Sequence, residues 1–330
     1  MAERVLVTGA GGFIGSHVVE LLVREGYRVR AFVRYVSAGS IGNLAWLPPE
    51  VRAEVEIVRG DLRDPDAVRR ACHGCPLVVH LAASVSIPYS YIHPREFVET
   101  NVIGTLNVLS AVLGAETVER VVVTSTSEVF GTAQYVPIDE THPLQPQSPY
   151  AASKVAADKL AESFHRSYGL PVVILRPFNT YGPRQTPRAV VPTIILQALQ
   201  RGHIRIGRLE PRRDLLYVAD TAAAFLACLR APAEAVVGQT FNVGTGNDIS
   251  IGELCQRICT LLGMPELPIE TEERRYRPEE SEVYQLCADS RKAQRVLGWW
   301  PQYSLEQGLQ MTLAWFREHQ HRYAPEDYLV

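Results

Sequence analysis

A glycine-rich turn near the start of the chain restricts the possible fold more than any other feature of the sequence. The turn lies between an apolar strand, Arg4–Thr8, and a helical pattern, Ser16–Glu25. In such a unit Gly9 permits the tight turn, Gly12 lets the backbone approach a pyrophosphate, and Gly15 lets helix and strand pack closely. The pattern predicts the first unit of a dinucleotide-binding fold, with the pyrophosphate at the helix N-terminus.

Further apolar strands alternate with helical patterns as far as Leu175, which predicts a parallel sheet with helices on both faces. These strands are Arg28–Val33, Val55–Val58, Leu77–Ala83, Val121–Thr124 and Val172–Leu175, and Thr240–Val243 adds one more. The alternation stops near Asn179. We therefore expect an α/β protein with a Rossmann-type doubly wound sheet, formed by 1–178 and about 213–244. The rest, about 179–212 and 245–330, would form a smaller α/β substrate-binding region.

Composition excludes several classes of protein. The net charge of −3 provides no basic field for nucleic acid. No apolar run approaches the roughly 20 residues that span a bilayer. Because Met1 leads directly into the first strand, there is no room for a signal peptide. We expect a cytoplasmic protein without nucleic-acid or membrane partners.

Tyr150 and Lys154 lie four residues apart, so on a helix their side chains share one face. A nearby ammonium group and a cationic nicotinamide ring would lower the tyrosine pKa from its usual value of about 10. Tyr150 would then accept a proton from a substrate hydroxyl. An isolated pair of this kind is more often a surface pair. Here the glycine turn and a hydroxyl-rich strand end favour catalysis.

The hydroxyl-rich segment is Thr126, Ser127 and Glu128, directly after the strand Val121–Thr124. Ligands of open parallel sheets gather outside the carboxyl ends of the strands. Hydroxyl groups here could also cap a turn, which suits Ser125. A carboxylate among apolar neighbours fits that alternative less well, so we predict that the triplet is catalytic.

The end of the second strand bears on the choice of cofactor. An acid is usual there in NAD enzymes, whereas this chain has Arg34, which suits a 2′-phosphate or lies free in solvent. We therefore favour NADP, with NAD as the alternative. Asp61 would bond the adenine amino group or cap a helix. The predicted cofactor contacts are Gly9, Gly12, Phe13, Ile14, Gly15, Arg34, Asp61, Leu62, Leu81, Ala82, Ala83, Tyr150, Lys154 and Pro177.

Two further sets of residues have candidate roles. Arg188, Arg213 and Arg277 lie in the latter half of the chain and are candidates for pairing with phosphates. Cys72 and Cys75 form a Cys-x-x-Cys motif, but no second ligand pair lies at a spacing that suits zinc. We interpret the motif as a structural loop and predict no metal site.

Several of these motifs together resemble the extended short-chain dehydrogenase/reductase family that acts on nucleotide sugars. They are Thr8–Gly15, the Tyr150/Lys154 pair, Asn179–Arg184, Arg213-Asp214 with Tyr217-Val218, Arg277-Pro278 and Leu297–Trp299. The Thr126–Glu128 triplet is similar to that of nucleotide-sugar 4,6-dehydratases. Other segments resemble GDP-mannose and, more closely, GDP-N-acetylglucosamine 4,6-dehydratases. These segments are Ala31–Tyr35, Ile87–Tyr91, Thr132–Glu140 and Arg277–Val283.

The resemblance implies a mechanism. Tyr150, with Lys154 and Thr126, would take the C4 hydroxyl proton as the sugar is oxidised. Glu128 would then remove the C5 proton, the C6 hydroxyl would leave as water, and hydride would return to C6. Ser127 stands where some relatives have an aspartate acid, so Glu128 or a water are the other candidates for the proton donor. The implied substrate is GDP- or UDP-N-acetylglucosamine, in contact with Ser86 and Asn179.

The resemblance also implies a homodimer formed through the helical segments Arg95–Leu113 and Tyr150–Tyr168. Three other functions compete with the dehydratase. A UDP-glucuronate decarboxylase would share the triplet but usually keeps an acid after the second strand. A 4-epimerase would have no role for Glu128, and a cofactor-binding regulatory protein would usually lack the tyrosine or the lysine.

Overall fold

A seven-stranded parallel sheet forms the centre of the protein. The computed structural model describes residues 3–115 and 117–323. The strands of this sheet are β1 (Arg4–Thr8), β2 (Arg28–Arg34), β3 (Glu56–Gly60), β4 (Leu77–His80), β5 (Arg120–Thr124), β6 (Val172–Pro177) and β10 (Thr240–Val243). Across the sheet they lie in the order β10-β6-β5-β4-β1-β2-β3. The strand order reverses between β1 and β4, and at such a switch point a crevice opens at the carboxyl edge of the sheet.

Helices cover both faces of this sheet, which explains why its central strands are almost continuously apolar. The α-helices of the described residues, on this sheet and elsewhere, are α1 (Phe13–Arg24), α2 (Pro49–Ala53), α3 (Pro65–Cys72), α4 (Ile87–Ile92), α5 (Pro94–Phe97), α6 (Gly104–Leu113), α7 (Pro149–Tyr168), α8 (Val190–Arg201), α9 (Val218–Arg230), α10 (Ala233–Val236), α11 (Ile251–Leu262), α12 (Arg291–Leu297) and α13 (Leu305–His319). Helices α1 and α9 share one core with Val5 and Val7 of β1. Helices α3, α6 and α7 share the opposite core with Leu6.

The helical stretch predicted over 95–113 is not a uniform α-helix. A π-helical segment, Val98–Ile103, joins α5 to α6. It contains the buried Asn101, whose amide contacts the segment after β4 and the helix α7. Such π turns are frequent at functional sites, and this one lies beside the switch point.

Two smaller sheets follow the central one in the chain. Strand β9 (Arg212–Tyr217) pairs in parallel with β7 (Asn179–Tyr181) and β13 (Gln285–Leu286), and antiparallel with β11 (Asp248–Ser250). Strands β8 (Ile204–Ile206) and β12 (Ile269–Thr271) form a two-stranded parallel sheet. Helices α8, α11 and α13 bury a separate apolar core with residues of β7, β8 and β9.

The buried carboxylate of Asp214 connects the second sheet to the end of β10. It accepts hydrogen bonds from the Thr245 amide and hydroxyl, at 2.8 and 2.7 Å, and from the amides of Gly246 and Ala288, at 2.9 and 3.1 Å. Four donors are enough to satisfy one carboxylate in the protein interior. This carboxylate therefore holds β9, which carries the neighbouring Arg213, in a fixed position.

The predicted fold class is confirmed, and the strand predicted at Thr240–Val243 lies at the edge of the central sheet. The division of the chain into a dinucleotide region and a substrate region stays a prediction. Strand β9 joins the second sheet, whereas α9, which follows it directly, packs on the central one. No helix among the described residues is long and apolar enough to cross a membrane.

Candidate functional site

The catalytic candidates meet where β5 ends and α7 begins. After Thr124 the chain enters a short 3₁₀ turn, Ser127–Phe130, and the Thr126 hydroxyl caps this turn by accepting from the Glu128 amide at 3.3 Å. The Ser148 hydroxyl caps α7 in the same way. Both caps satisfy amides that have no partner within their own turn. The two caps thus fix the starting points of the segments that carry Glu128 and Tyr150.

Thr126 also forms a hydrogen bond to Tyr150, which lowers the pKa of the phenol. Burial has the larger effect and, with the charges of Glu128 and Asp158, raises the pKa of Tyr150 to about 12. This direction is opposite to the one expected from Lys154. In the protein alone the phenol is therefore protonated at neutral pH, because a buried phenolate would lose its hydration.

Lys154 is buried, and its Nζ donates to the Thr124 carbonyl at 2.6 Å. Burial lowers the pKa of Lys154, while the negative charge of Asp158 raises it. Asp158 lies one helical turn further along α7. The lysine is therefore held at the end of β5 by a backbone carbonyl, and a buried carboxylate supports its charge.

Asp158 was not among the sequence predictions, although it supports the whole site. Its Oδ2 accepts from the Ser125 hydroxyl at 2.8 Å and from Nε and Nη2 of Arg176 at 3.1 and 3.0 Å. Both Asp158 and Arg176 are almost completely buried. The position of Asp158, four residues after Lys154 on the same helix face, was the available signal.

The glycine turn has the geometry that the sequence predicts. Gly9 has a positive φ of 69°, and a Cβ there would come within 2.7 Å of the Ala82 amide nitrogen. A Cβ on Gly15 would lie 2.2 Å from the Gly9 carbonyl oxygen. Gly12 is the N-cap of α1 and offers no side-chain cap, so the first amides of α1, at Phe13 and Ile14, lie at an end suited to an anion.

Other predicted cofactor residues lie at the carboxyl edge of the sheet. Leu81 and Ala82 follow β4, where their amides donate to the Thr8 carbonyl and hydroxyl at 3.2 Å each, and Ala83 comes next. Pro177 ends β6 beside Val243. Leu62 follows β3 and packs against Gly104 of α6.

Asp61 and Arg34 lie close together at the outer part of this edge. Asp61 binds its neighbour Arg63, with Oδ2 and Nη2 at 2.6 Å, and this hydrogen bond helps to lower the pKa of Asp61. Asp61 does not cap α3, because Asp64 does. Arg34 ends β2, is exposed, and adds its positive charge near Asp61.

Thr124 Oγ1 and Asn179 Oδ1 are two of the buried side-chain oxygens that lack a hydrogen-bond partner in the described structure. Thr124 ends β5 and Asn179 begins β7, directly after β6. Buried polar atoms are rarely left unpaired. These oxygens, the uncapped end of α1 and the small residues after β4 fit a bound dinucleotide.

Two arginines predicted from the sequence lie in one cluster of charged groups with Glu128. Arg277 Nη1 lies 3.4 Å from Glu128 Oε2, and Glu282 Oε1 lies 3.9 Å from Arg277 Nε and 3.8 Å from Arg213 Nη2. All four groups are buried or nearly so. Glu282 was missed by the sequence analysis. The described cluster brings two cations and two anions together, which limits the cost of burying each charge.

Arg188 and Ser86 occupy different surroundings. Arg188 is exposed. The hydrogen bond to Glu96 raises the pKa of Tyr89, and the charges of Arg188 and Arg34 act in the opposite direction. Ser86 caps α4 through its hydroxyl and has φ of 150° and ψ of 110°. This conformation is strained for any residue except glycine, and such strain is concentrated at functional sites.

The cysteines have no ligand geometry. Cys72 and Cys75 are buried and unpaired, and burial raises the pKa of the Cys72 thiol to about 12. Among the described residues no group of three or more potential metal ligands occurs.

Comparison with known proteins identifies the family. The family model for GDP-mannose 4,6-dehydratase matches residues 6–312. The chain is 33% identical to mouse dTDP-D-glucose 4,6-dehydratase, over 98% of this chain and 91% of the relative. It is 35% identical to UDP-glucose 4-epimerase of Mycolicibacterium smegmatis, over 95% and 98%.

The chain belongs to the extended short-chain dehydrogenase/reductase family of nucleotide-sugar dehydratases and epimerases. A solved structure of DesIV, a dTDP-glucose 4,6-dehydratase from Streptomyces venezuelae with NAD bound, superimposes with a TM-score of 0.88. That structure is 33% identical and covers 98% of this chain and 99% of its own. The fold of this chain is therefore one that occurs in a nucleotide-sugar dehydratase.

The hydrogen bond between Thr126 and Tyr150 predicts a change in pH dependence. In Thr126→Val the pKa of Tyr150 rises further, because the phenolate loses its donor. The acid limb of the rate profile should move to higher pH, and kcat near neutrality should fall about 10-fold or more. Thr126→Ser, which keeps the hydroxyl, serves as control. Initial rates measured across pH would contradict this role if Thr126→Val kept the parent acid limb.

Proposed function

We propose that this protein is a nucleotide-sugar 4,6-dehydratase that forms a 4-keto-6-deoxy sugar. The observation that carries this proposal is the buried Glu128 beside Tyr150, close enough for its charge to raise the tyrosine pKa. A simple oxidation at C4 needs only a tyrosine base. A second, carboxylate base at the same site is useful when a neighbouring C–H must also lose its proton.

Tyr150, hydrogen-bonded to Thr126, takes the proton from the C4 hydroxyl. A nicotinamide dinucleotide bound here would supply the acceptor for the C4 hydride and the donor of hydride to C6. Its positive charge would favour the phenolate, against the burial that raises the pKa of Tyr150 in the protein alone. Lys154 keeps its position through the Thr124 carbonyl. The oxidised C4 carbonyl makes the C5 proton acidic enough for Glu128 to remove it.

We assign the acid that protonates the leaving C6 hydroxyl to Glu128 as well. Ser127 is buried in the 3₁₀ turn, and a serine hydroxyl is far weaker as an acid than a carboxyl group. After Glu128 takes the C5 proton it is itself a carboxylic acid and can give this proton to the leaving hydroxyl. When hydride reaches C6, C5 must gain a proton, and the proton that Tyr150 took from the C4 hydroxyl, exchanged through solvent, balances this step. The contact of Glu128 with Arg277 at 3.4 Å keeps the carboxylate oriented and stabilises its return to the charged form.

The substrate is proposed to be GDP- or UDP-N-acetylglucosamine. Arg213 is buried and Arg277 is half-buried near Glu128, and a diphosphate would bind guanidinium groups of this kind in bidentate fashion. The N-acetylglucosamine part rests on the resemblance of Arg277–Val283 and Thr132–Glu140 to one dehydratase subgroup. Asn179 and Ser86 are proposed sugar contacts.

The relatives include 4-epimerases, so an epimerase is the second candidate. It needs oxidation at C4 and reduction from the opposite face, and leaves Glu128 without a chemical task. The decarboxylase candidate would require a cation beside the C6 carboxylate, and Arg277 is a group of that type near Glu128. Product analysis separates all three reactions.

The deciding experiment is mass spectrometry of products from separate incubations. The substrates are GDP-N-acetylglucosamine, UDP-N-acetylglucosamine, GDP-mannose, dTDP-glucose and UDP-glucuronate. Loss of one water establishes the dehydratase and names the substrate. Unchanged mass with inversion at C4 establishes an epimerase, and loss of carbon dioxide establishes a decarboxylase.

Replacement of Glu128 should separate oxidation from elimination. Glu128→Gln keeps the size of the side chain but removes the base, so dehydration should fall by about 10²–10⁴-fold. Oxidation at C4 should persist and appear as the absorbance of reduced nicotinamide in a single turnover. Glu279→Gln, an exposed position on the Arg277 segment, makes the same change of charge and should behave as the parent. Full dehydratase activity in Glu128→Gln would remove Glu128 from the mechanism.

We propose NADP as the preferred cofactor, on the basis of Arg34 at the end of β2. Arg34→Asp removes a partner for the 2′-phosphate and adds an acceptor for ribose hydroxyls. The preference should shift towards NAD by roughly 10- to 100-fold in relative affinity. Binding is measured by titration of both cofactors, with Arg69→Asp on the exposed side of α3 as control. An unchanged preference would show that Arg34 does not contact the cofactor.

We also propose a homodimer. Several large apolar side chains of the helices from Val98 to Leu113 and of α7 are exposed, namely Val98, Ile103, Leu113 and Tyr168. Burying such side chains against a second copy would stabilise the assembly. Light scattering at micromolar concentration should give twice the chain mass of 36.7 kDa, and a monomer would contradict the proposal.

A further inference from the structure

His80, the last residue of β4, lies in a chain of hydrogen bonds that the proposed mechanism does not use. It is buried, with Nδ1 at 2.8 Å from Thr8 Oγ1 and Nε2 at 3.0 Å from Thr105 Oγ1. Thr8 ends β1 and Thr105 lies in α6. The imidazole therefore links the strand before the glycine turn to the helix that follows the π segment.

The neighbours of His80 define which ring nitrogen carries the proton. The Thr105 hydroxyl donates to the Asn101 carbonyl at 2.6 Å, so its oxygen is left to accept from His80 Nε2–H. Nδ1 is then the acceptor and receives the Thr8 hydroxyl proton. The Thr8 oxygen in turn accepts from the Ala82 amide at 3.2 Å. The Ala82 amide, the Thr8 hydroxyl, the His80 ring and the Thr105 hydroxyl thus each donate one hydrogen bond, and the ring is neutral.

The side chain of Asn101, whose backbone carbonyl accepts from Thr105, extends the path of hydrogen bonds to α7. The Asn101 amide accepts from the Ser84 amide at 2.7 Å and donates to the Ser84 carbonyl at 3.0 Å and to Ser153 Oγ at 2.9 Å. Ser153 donates to the Tyr150 carbonyl at 2.7 Å. A continuous path thus joins Ala82, beside the glycine turn, to the backbone of Tyr150.

We propose that His80 is a positioning residue that holds the start of α7, and with it Tyr150, at a fixed distance from the cofactor side of the sheet. The inference rests on the proposed function only for its kinetic test. Reacting groups must be placed to within about 1 Å for full rate, and this path is a polar connection between the segment after β4 and the start of α7. Burial and the charge of Lys154 lower the pKa of His80 to about 3, in agreement with a neutral ring.

The kinetic test compares loss of the hydrogen bonds with loss of packing alone. His80→Leu and Thr105→Val each break the path and should lower kcat about 10- to 100-fold, while KM for the nucleotide sugar stays within about twofold. Thr105→Ser keeps the hydroxyl and should restore the parent rate. Val79→Ala removes buried volume from β4 without touching the path, so it should lower Tm but keep kcat. Equal kcat in His80→Leu and Val79→Ala, or equal loss in both Thr105 variants, would overturn the proposal.

A second measurement does not depend on activity. In protein with ¹⁵N-labelled histidine, one of the nine imidazoles should show a protonated Nε2 and an unprotonated Nδ1, with no titration between pH 5 and 8. This signal should change its tautomer balance in Thr105→Val and be absent in His80→Leu. A titrating ring or the opposite tautomer refutes the path even if the enzyme is a dehydratase. The predicted tautomer without any dehydration leaves His80 in place and refutes the proposed function instead.

Discussion

The buried ion pair between Asp158 and Arg176 is the interaction on which the geometry of the site depends. It fastens α7 to β6, and the additional bond from Ser125 fastens the same helix to β5. Losing one member of such a pair leaves an uncompensated buried charge, which typically costs about 3–5 kcal/mol. Because Lys154 lies one turn before Asp158 and Tyr150 one turn before that, the pair determines where both catalytic candidates meet the end of β5.

Burial and ion pairing together determine the charges of the site in the protein alone. Burial raises the pKa of Tyr150 and lowers that of Lys154, so each group is pushed towards its neutral form. Arg213 and Arg277 lie next to Glu128 and Glu282. The distances of 3.4–3.9 Å are those of ion pairs rather than of short hydrogen bonds, so the guanidinium groups keep donor capacity. Such a site is suited to two charged ligand groups: a diphosphate, which the guanidinium groups can bind, and a cationic ring, which would favour the phenolate of Tyr150.

The sequence predicted the parts of this structure that depend on local patterns. The glycine turn, the strands of the central sheet and α7 follow from periodicity and from the residues at their ends, and the triplet after β5 follows from the topology of parallel sheets. His80 and Glu282 could not be found in this way, because each acts through partners distant in the chain. Asp158 had one local signal, its position four residues after Lys154, but its partners Ser125 and Arg176 are distant in the chain. The small strands β7, β8 and β13 are two or three residues long, too short for a recognisable alternation.

The fold alone does not distinguish a dehydratase from an epimerase. Both reactions use the same sheet, the same dinucleotide turn and the same tyrosine, and relatives of both kinds align along nearly the whole chain. What differs is whether a carboxylate lies where the C5 proton must leave. In this chain Glu128 is buried, its backbone amide donates to the Thr126 hydroxyl, and its carboxylate pairs with Arg277. A carboxylate that is buried and paired in this way differs from a solvent-facing glutamate, and this difference favours the proposal that it takes part in the reaction.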